Sequence, residues 1–447
     1  MSGSHEGTSA DRRSARRATR ASFAGTLLEF YDFTLYATAA ATVFPSVFFP
    51  GASPLLAAAQ SIATFSVAFL VRPFAGAFLG SLGDRIGRRR VLVFTLVVMG
   101  GATVGIGLIP GADAIGWLAP ALLLLMRVLQ GIGASAEFSG ATLVAVEFAP
   151  KNRRGLLGSI PAAGNGIGGT LATLALLLVQ TTLTSEQFLA WGWRIPFLLG
   201  GILVGYGLWL RIHLPETPEF RPLEVAGEVP HTPLRDTLRQ RPRELLGVTL
   251  VVMARTGLAY FFLVFLVSFA ANQAGLSRDT TLVGLLISYL ALAAFNPLFG
   301  WLSDFVGRRT VIMGGFLLEV ALAFPVFTWI GSDWPEGLWL AMFLGNGVGV
   351  AACTAPIGRL MAELFPVRQR FTGMGVANET GIAIGGAVVP PLAVYLAYLG
   401  GGATTSLSVL LLGLATAGLV GLLVVPRREG TRQAPTPPGP AAVAGNS

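Results

Sequence analysis

The chain alternates long apolar runs with short polar connections. Each run is near or above the ~20 residues that a helix needs to cross the hydrocarbon core of a bilayer. Small residues recur within the runs, as is common where membrane helices pack closely, and the 447 residues include 57 glycines and 27 prolines. The pattern predicts twelve membrane-spanning helices, at residues 22–44, 54–80, 91–112, 118–148, 156–180, 194–213, 244–272, 280–302, 311–331, 338–362, 373–399 and 404–426.

A polar segment rich in proline and arginine interrupts this pattern near the middle of the chain. Such a break is typical of a linker between two domains. The last residues are rich in Pro, Ala and Gly, a composition that indicates disorder. The predicted organisation is a basic cytoplasmic tail, a six-helix bundle, a cytoplasmic linker, a second six-helix bundle and a disordered cytoplasmic tail, at residues 1–21, 22–213, 214–243, 244–426 and 427–447.

The two halves resemble each other at a nearly fixed spacing. Residues 80–89 read Gly-Ser-Leu-Gly-Asp-Arg-Ile-Gly-Arg-Arg, and residues 300–309 read Gly-Trp-Leu-Ser-Asp-Phe-Val-Gly-Arg-Arg. Glu147-Phe-Ala-Pro150 returns as Glu363-Leu-Phe-Pro366. Because each half has an even number of spans, the repeats share one orientation. We therefore predict an all-α membrane protein whose two six-helix bundles are related by a pseudo-two-fold axis along the membrane normal.

Composition and charge agree with a membrane protein. The chain is 53% hydrophobic and only 12% charged, which is too little polar surface to cover a soluble globule. Of the 31 Lys and Arg residues, only Arg194 and Arg278 lie at odd-numbered connections, and three others, Arg72, Arg127 and Arg255, lie deep inside spans. All the rest lie in the N-terminal tail and the even-numbered connections, which is the positive-inside pattern and predicts that both termini are cytoplasmic.

Several other classes of function are disfavoured. The formal charge of +8 is spread over loops instead of one soluble face, so we expect no nucleic-acid partner. One cysteine and three scattered histidines form no metal or catalytic set, and we expect neither an enzyme nor a cofactor. Gly-Asn-Gly-Ile-Gly-Gly at residues 164–169 fits a dinucleotide-binding pattern, but it follows no strand and lies in an apolar helix. We interpret it as a helix-packing surface.

The loop at residues 80–89 and its repeat at residues 300–309 resemble the hallmark loop of the major facilitator superfamily. Further segments resemble the metabolite:proton symporter family of that superfamily; they lie at residues 28–36, 69–73, 127–131 with Glu137, 191–196, 216–218 and 363–366. The resemblance covers nearly the whole chain. It implies a monomeric transporter in the cell (plasma or inner) membrane that uses alternating access, with a small-molecule solute and protons as its partners and lipid as its surroundings.

Candidate proton-coupling residues lie in the first and fourth spans. Glu29 and Asp32 are three residues apart, on the helix face that also carries Tyr36. Two carboxylates so close repel, and one should hold its proton to a higher pH, as a proton-coupling group must. The alternative is that either acid only neutralises Arg72 or Arg127. For Arg127, which matches the superfamily's Arg-x-x-Gln-Gly motif, we favour proton linkage with Glu137 or Asp32.

Candidate solute-binding residues are Arg72, Tyr36 and Arg255. An arginine in a cavity can hold a carboxylate through two hydrogen bonds, and Arg72 matches the family's Arg-Pro motif. Arg255 is the only cation within the spans of the second half, and it can alternatively pair with Glu319 or Glu379. Each arginine can instead serve internal charge balance.

The repeated loop predicts a conformational latch. Asp84 can accept hydrogen bonds from backbone N–H groups at a neighbouring helix end or from an arginine. Gly87 permits the tight loop, and Arg88 and Arg89 are expected at the anionic leaflet. The second copy has Phe305 in place of Arg85, which predicts a weaker latch there. The full set of latch residues is Gly80, Asp84, Arg85, Gly87, Arg88, Arg89, Asp304, Gly307, Arg308 and Arg309.

The sequence thus favours a secondary transporter, by resemblance a proton symporter that imports a small organic acid. Three arginines within the spans favour a mono- or dicarboxylate as solute. Two alternatives stay open, a symporter for a zwitterionic osmolyte of the proline or betaine type and a proton-driven exporter. A membrane sensor that binds solute without flux is a third.

Overall fold

The computed structural model describes residues 9–330, 334–400 and 404–426. Within these ranges the backbone is almost entirely helical, and the long helices follow the twelve predicted spans. We number them α1 (Ser9–Thr42), α2 (Pro54–Ile86), α3 (Arg88–Leu108), α4 (Leu118–Ala134 and Glu137–Phe148), α5 (Arg154–Thr182), α6 (Arg194–Ile212), α7 (Pro242–Tyr260, Phe261–Leu266 and Val267–Asn272), α8 (Arg278–Val306), α9 (Arg308–Leu322), α10 (Glu336–Met342, Phe343–Val350, Ala351–Thr354 and Ile357–Leu364), α11 (Arg370–Leu399) and α12 (Thr405–Val424).

Ten of these helices are long and apolar enough to cross a membrane, within the ranges given above. The other two are α1, which carries charged residues along much of its length, and α9, which has only 15 residues. Large apolar side chains such as Phe74 and Trp117 are about four-fifths exposed, as expected for surfaces that face lipid. The prediction of an all-α membrane protein is confirmed.

The polar segments differ in detail from the sequence prediction, both at the start of the chain and in the central linker. Helix α1 begins at Ser9, so residues 9–21 of the predicted tail are helical. The linker also contains two short helices, Arg221–Val225 and Pro233–Gln240. Residues 1–8 and the predicted disordered tail at 427–447 lie outside the described residues.

The repeat in the sequence reappears as a repeat in the backbone. Helix α2 passes into α3 at Gly87 (φ +103°), and α8 passes into α9 at Gly307 (φ +91°). Both angles lie in the left-handed region that glycine adopts without strain, which allows each turn to be a single residue. These two turns lie at the same end of the molecule as the connections around Pro150 and Pro366, and we call this end the basic end.

The two bundles, α1–α6 and α7–α12, meet through two pairs of helices. Helix α2 packs on α11, and α5 packs on α8. Side chains at Gly166 or Gly169 would overlap Tyr289 or its backbone, so these two glycines form the close α5–α8 contact. Gly164 and Gly168 of the same segment instead lie against the backbone of α1. The interpretation of this segment as a packing surface is confirmed.

Candidate functional site

A buried guanidinium joins the two bundles near the middle of the helices. Arg72 of α2 is 2% exposed, and its Nη2 donates to Glu29 Oε1 of α1 at 2.8 Å. Its Nε donates to Glu379 Oε2 of α11 at 2.6 Å. Arg72 therefore holds two carboxylates, one from each bundle. The sequence singled out Arg72 and Glu29, but it considered Glu379 only as a partner of Arg255.

Asp32 belongs to a separate hydrogen-bonded cluster. Its Oδ1 accepts from the Thr103 hydroxyl at 2.7 Å and from Gln130 Nε2 at 2.5 Å. Arg127 Nη1 donates to Gln130 Oε1 at 3.0 Å, so Gln130 connects Arg127 to Asp32. The expected linkage of Arg127 with Asp32 thus runs through an amide. Sequence reasoning missed Gln130, although it is part of the Arg-x-x-Gln-Gly motif.

Aromatic rings surround the guanidinium of Arg127. Its central carbon lies 4.0 Å from the ring centre of Tyr36 and 4.8 Å from those of Phe33 and Phe65. Stacking of this kind partly compensates a buried cation for lost water. The Tyr36 hydroxyl lies 2.6 Å from Thr64 Oγ1, so Tyr36 is held by a hydrogen bond as well.

Glu137 lies apart from these central groups. It forms a buried ion pair with Arg211 of α6, in which Arg211 Nη1 is 2.7 Å from Glu137 Oε2. The structure does not bring Glu137 to Arg127, because Glu137 begins the second segment of α4, after the break at residues 135–136. The expected Arg127–Glu137 linkage is therefore absent from the described structure.

Arg255 of α7 forms a hydrogen bond instead of an ion pair within the described residues. Its Nη2 donates to Asn378 Oδ1 at 3.1 Å, and Asn378 Nδ2 donates to Glu379 Oε1 at 2.7 Å. Its guanidinium also lies 5.3 Å from the ring centre of Phe138 in α4. A chain of hydrogen bonds therefore connects Arg255 through Asn378 and Glu379 to Arg72.

At the basic end, Asp84 reaches across to the second bundle. Its carboxylate accepts from the backbone N–H groups of Phe371 at 3.2 Å and Thr372 at 2.8 Å, and from the Thr372 hydroxyl at 2.8 Å. These groups form the first turn of α11, where unpaired N–H groups and the helix dipole favour an anion. Asp84 thus makes the kind of contact that the sequence predicted for it.

Asp304 makes the reciprocal contact with the first bundle. It accepts from the backbone N–H groups of Gly155 at 2.8 Å and Leu156 at 3.0 Å, in the first turn of α5. Arg359 of α10 also pairs with Asp304. Arg359 lies in the same bundle as Asp304, just as Arg88 lies 3.8 Å from Asp84 in the first bundle. Across the bundles Asp84 accepts from three donors and Asp304 from two, and the expectation of a weaker second copy stays a prediction. Arg85, the residue that the second copy lacks, is exposed.

The arginines after each glycine turn are paired with glutamates. Arg88 is fully buried and pairs with Glu147, and its counterpart Arg308 pairs with Glu363. The expectation that Arg88 lies at the anionic leaflet is wrong, because a fully buried side chain cannot contact lipid head groups. Arg89 donates to the carbonyl oxygen of Ile212, and Arg309 donates to the carbonyl oxygens of Val425 and Pro426 at 2.9 and 2.6 Å. These contacts tie each turn to the end of the sixth helix of its bundle.

The linker adds ion pairs that sequence reasoning missed. Glu216 accepts from the backbone N–H groups of Arg88 and Arg89 and so caps α3. Glu219 pairs with Arg154 at 2.8 Å and with Arg370 at 2.5 Å, which belong to different bundles. Burial alone would raise the pKa of Glu219, but the charges and hydrogen bonds of Arg370 and Arg154 outweigh it and hold the pKa below its usual range.

Metal chemistry has no support in the part of the chain that the structure describes. No group of three or more His, Cys, Asp or Glu side chains there is arranged to hold a metal ion. Cys353 is buried and not in a disulfide.

Comparison with known proteins gives matches along both halves. Residues 18–228 match the profile of the family described as "Sugar (and other) transporter", and residues 250–445 match that of the "Major Facilitator Superfamily". The inner membrane metabolite transport protein YhjE of Escherichia coli is 37% identical, over 91% of each chain. The shikimate transporter of Escherichia coli is 36% identical, over 86% of this chain and 88% of its own.

A proline/betaine transporter is also among the relatives. The proline/betaine transporter of Salmonella typhimurium is 34% identical, over 85% of this chain and 77% of its own. Among solved structures, the proton:xylose symporter XylE superposes with a TM-score of 0.71 over 92% of this chain and 95% of its own. At 18% identity, that likeness supports the fold alone.

Proposed function

Because this chain belongs to the major facilitator superfamily, within its metabolite:proton symporter family, we propose that it imports a small organic acid together with protons. The chain is a multi-pass membrane transporter of metabolites, and the nature of the solute is our proposal. The observation that carries the proposal is the position of Arg72, buried between carboxylates of the two bundles.

Arg72 offers the chemistry that a carboxylate solute requires. A guanidinium binds carboxylates through charge-assisted hydrogen bonds, and a solute carboxylate is chemically equivalent to Glu29 or Glu379. A proton on either glutamate removes its charge and releases one face of Arg72 for the solute. Competition among two glutamates and the solute for one guanidinium would couple proton binding to solute binding.

Asp32 and Arg127 form a second place for proton coupling. Asp32 Oδ2 has no hydrogen-bond partner among the described residues, and Gln130 lies between the two charged groups. A proton on Asp32 would weaken its attraction for Arg127 and for Gln130. We assign proton coupling to Glu29, Asp32 and Arg127, and solute binding to Arg72, Tyr36 and Arg255. Glu137, which is paired with Arg211, is assigned to holding α4 against α6.

Transport would proceed by rocking of the two bundles about these central groups. The contacts of Asp84 and Asp304 close the basic end, and both must break for that end to open. The positive-inside distribution of arginines supports placing the basic end and both termini in the cytoplasm. By resemblance to the family, we propose a monomer in the cell membrane. In this structure the cytoplasmic side is then closed.

A zwitterionic osmolyte is the second candidate solute. The rings of Phe33, Tyr36 and Phe65 hold the guanidinium of Arg127, and a quaternary ammonium group could use this aromatic cage only if Arg127 moved out of it. Proline and betaine also carry carboxylates, which Arg72 can bind. The two solute classes therefore share the anion site and differ in their need for the cage.

Uptake into proteoliposomes tests the proposal. Radiolabelled shikimate, other carboxylates and glycine betaine are offered with and without an inward proton gradient, to wild type, Asp32→Asn and Arg72→Ala, with the exposed Glu186→Gln as control. We expect a carboxylate to accumulate only with the gradient, and we expect Asp32→Asn to retain exchange but lose accumulation. Accumulation of betaine alone would favour the zwitterion, and outward transport driven by protons would identify an exporter.

A further inference from the structure

The second bundle contains a buried carboxyl group far from the cluster of Arg72. Glu319 of α9 is 1% exposed, and neither of its side-chain oxygens has a hydrogen-bond partner in the described part of the chain. Its carboxyl group occupies the space that a side chain at Gly349 would take, against the backbone of α10. A polar group so completely enclosed and unpaired is rare in folded proteins.

Within the described residues, no cation from the helices packed against α9 pairs with Glu319. Helix α12 has no ionisable residue in the stretch Thr405–Val424. From α10, the titratable group beside α9 is the thiol of Cys353, which donates to the carbonyl oxygen of Ile312 at 3.7 Å. Among the other charged residues of α8, α9 and α10, Asp304, Arg308, Arg359 and Glu363 pair with one another at the basic end, and Arg309 donates to backbone carbonyl oxygens there. Arg278, Asp279 and Glu336 lie at the first residues of α8 and α10, at the opposite end of these helices.

An isolated carboxylate is very unstable in such surroundings, since burial removes its water and nothing replaces it. The same carboxyl group is far less costly when it is neutral. Glu319 can meet this condition by holding a proton. Structural packing alone would not select a glutamate at this position, because its oxygens gain no partner there.

We propose that Glu319 is a second proton-binding site, located in the second bundle and protonated in the conformation with the basic end closed. Its surroundings provide a way to release the proton. The adjoining segment Phe343–Val350 of α10 is a π-helix, a form that often marks functional positions in helices. Movement there would bring water or a cation to the carboxyl group, and its proton would pass to that water.

The polar chain described above ends in the same bundle as Glu319, at Arg255 of α7. That chain runs from Glu29 through Arg72, Glu379 and Asn378 to Arg255. Arg255 forms no ion pair within the described residues. A deprotonated Glu319 would be attracted towards Arg255. The use of this proton in transport rests on the proposed symport, whereas its presence at Glu319 does not.

Infrared difference spectroscopy of the full chain in lipid bilayers tests the site without any solute. Wild type should show the carbonyl stretch of a protonated carboxylic acid, sensitive to H2O/D2O exchange, that disappears reversibly between about pH 5 and about pH 9. Glu319→Gln should lack this component. The matched variant Glu29→Gln, which removes a carboxyl group of the central cluster, should keep it.

Glu319→Asp keeps the proposal testable if the glutamine variant folds poorly, because it should retain the band at a shifted frequency. Circular dichroism establishes that each variant is helical. An unchanged spectrum in Glu319→Gln would overturn the proposal. The proposal would also be overturned if folded wild type kept the band at about pH 9. Glu319 would then be neutral at every pH tested, and it would not release its proton. Failure of solute uptake would leave these spectra unaffected, so the two proposals fail separately.

Discussion

At the scale of single residues, the central question is why Arg72 is an arginine. Its Nε and Nη2 donate in different directions, to Glu379 and Glu29, and a planar guanidinium supplies both donors at fixed angles. A lysine keeps the charge but offers one compact ammonium group. The role of Arg72 therefore depends on geometry as well as on charge.

We predict that Arg72→Lys weakens solute binding about 10–100-fold, because a hydrogen bond to a charged group contributes ~1.5–3 kcal/mol. The measurement is a binding titration with the carboxylate that wild type accumulates. Arg90→Lys, at an exposed position of α3, is the control and should bind as wild type does. Equal affinities of Arg72→Lys and wild type would show that the charge alone suffices.

At the scale of helices, the repeated loop produces two reciprocal contacts. Asp84 of the first bundle caps α11 of the second, and Asp304 of the second bundle caps α5 of the first. Each aspartate binds at a helix N-terminus, so moving the bundles apart exposes both a carboxylate and unpaired N–H groups. The two contacts should act together to keep the basic end closed.

We predict that Asp84→Asn shifts the equilibrium towards an open basic end by ~1–3 kcal/mol, the usual contribution of hydrogen bonds to a charged group. Asp304→Asn should shift it in the same direction, and the double variant should shift it further. Spin labels at the exposed positions Lys151 and Arg368, one on each bundle, would report longer distances. Unaltered distances in the double variant would exclude a latch.

Helix α2 approaches α11 closely at Gly80. A Cβ atom there would lie 3.0 Å from the carbonyl oxygen of Phe371 and from the Cα of Thr372. Both neighbours are backbone atoms, so neither can turn away. The glycine is needed for the aspartate four residues later to reach α11.

Gly80→Ala is expected to lower stability by ~1–3 kcal/mol through overpacking and to weaken the Asp84 contact. The thermal unfolding midpoint of the purified protein measures the first effect. Gly101→Ala in α3 is the matched control, because no atom lies within 4 Å of its added methyl group. If both variants unfold at the same temperature, the α2–α11 contact is looser than the structure shows.

At the scale of the whole molecule, the linker contributes to closure. Glu219 of the linker joins Arg154 of the first bundle to Arg370 of the second. The lowered pKa of Glu219 means that its charged form is favoured by this assembly. Its contribution is therefore complete above the ordinary pKa of glutamate, about 4.3, and is lost as the pH falls through the lowered value.

We predict that wild type exceeds Glu219→Gln in stability by about 1 kcal/mol at neutral pH, since these side chains are about one-quarter exposed or less and solvent screens the pairs. The difference should shrink as the pH is lowered below about 4. Unfolding midpoints of both proteins across that range give the measurement. Glu224→Gln, an exposed linker residue, is the control. A difference that grows on acidification would contradict the assigned sign.

The sequence by itself determined the fold class, because spans of membrane length and the repeat of residues 80–89 are local patterns. It also identified Arg72, Glu29, Asp32 and Asp84, since an ionisable group in an apolar run stands out without any knowledge of contacts. The resemblance of its motifs led to the family. The sequence could not show which charged side chains pair with one another, because some of these pairs join residues hundreds of positions apart.

Only the tertiary structure decided which charges meet. Glu379 is 307 positions from Arg72, and Glu137 turned out to pair with Arg211 instead of Arg127. Arg88 was expected at the leaflet, but packing of the linker and α4 encloses it. The apolar pattern of a helix reflects only whether that helix faces lipid or protein, so it can be recognised within one segment. Ion pairs depend on how helices from the two bundles cross, and that crossing is decided by the whole assembly.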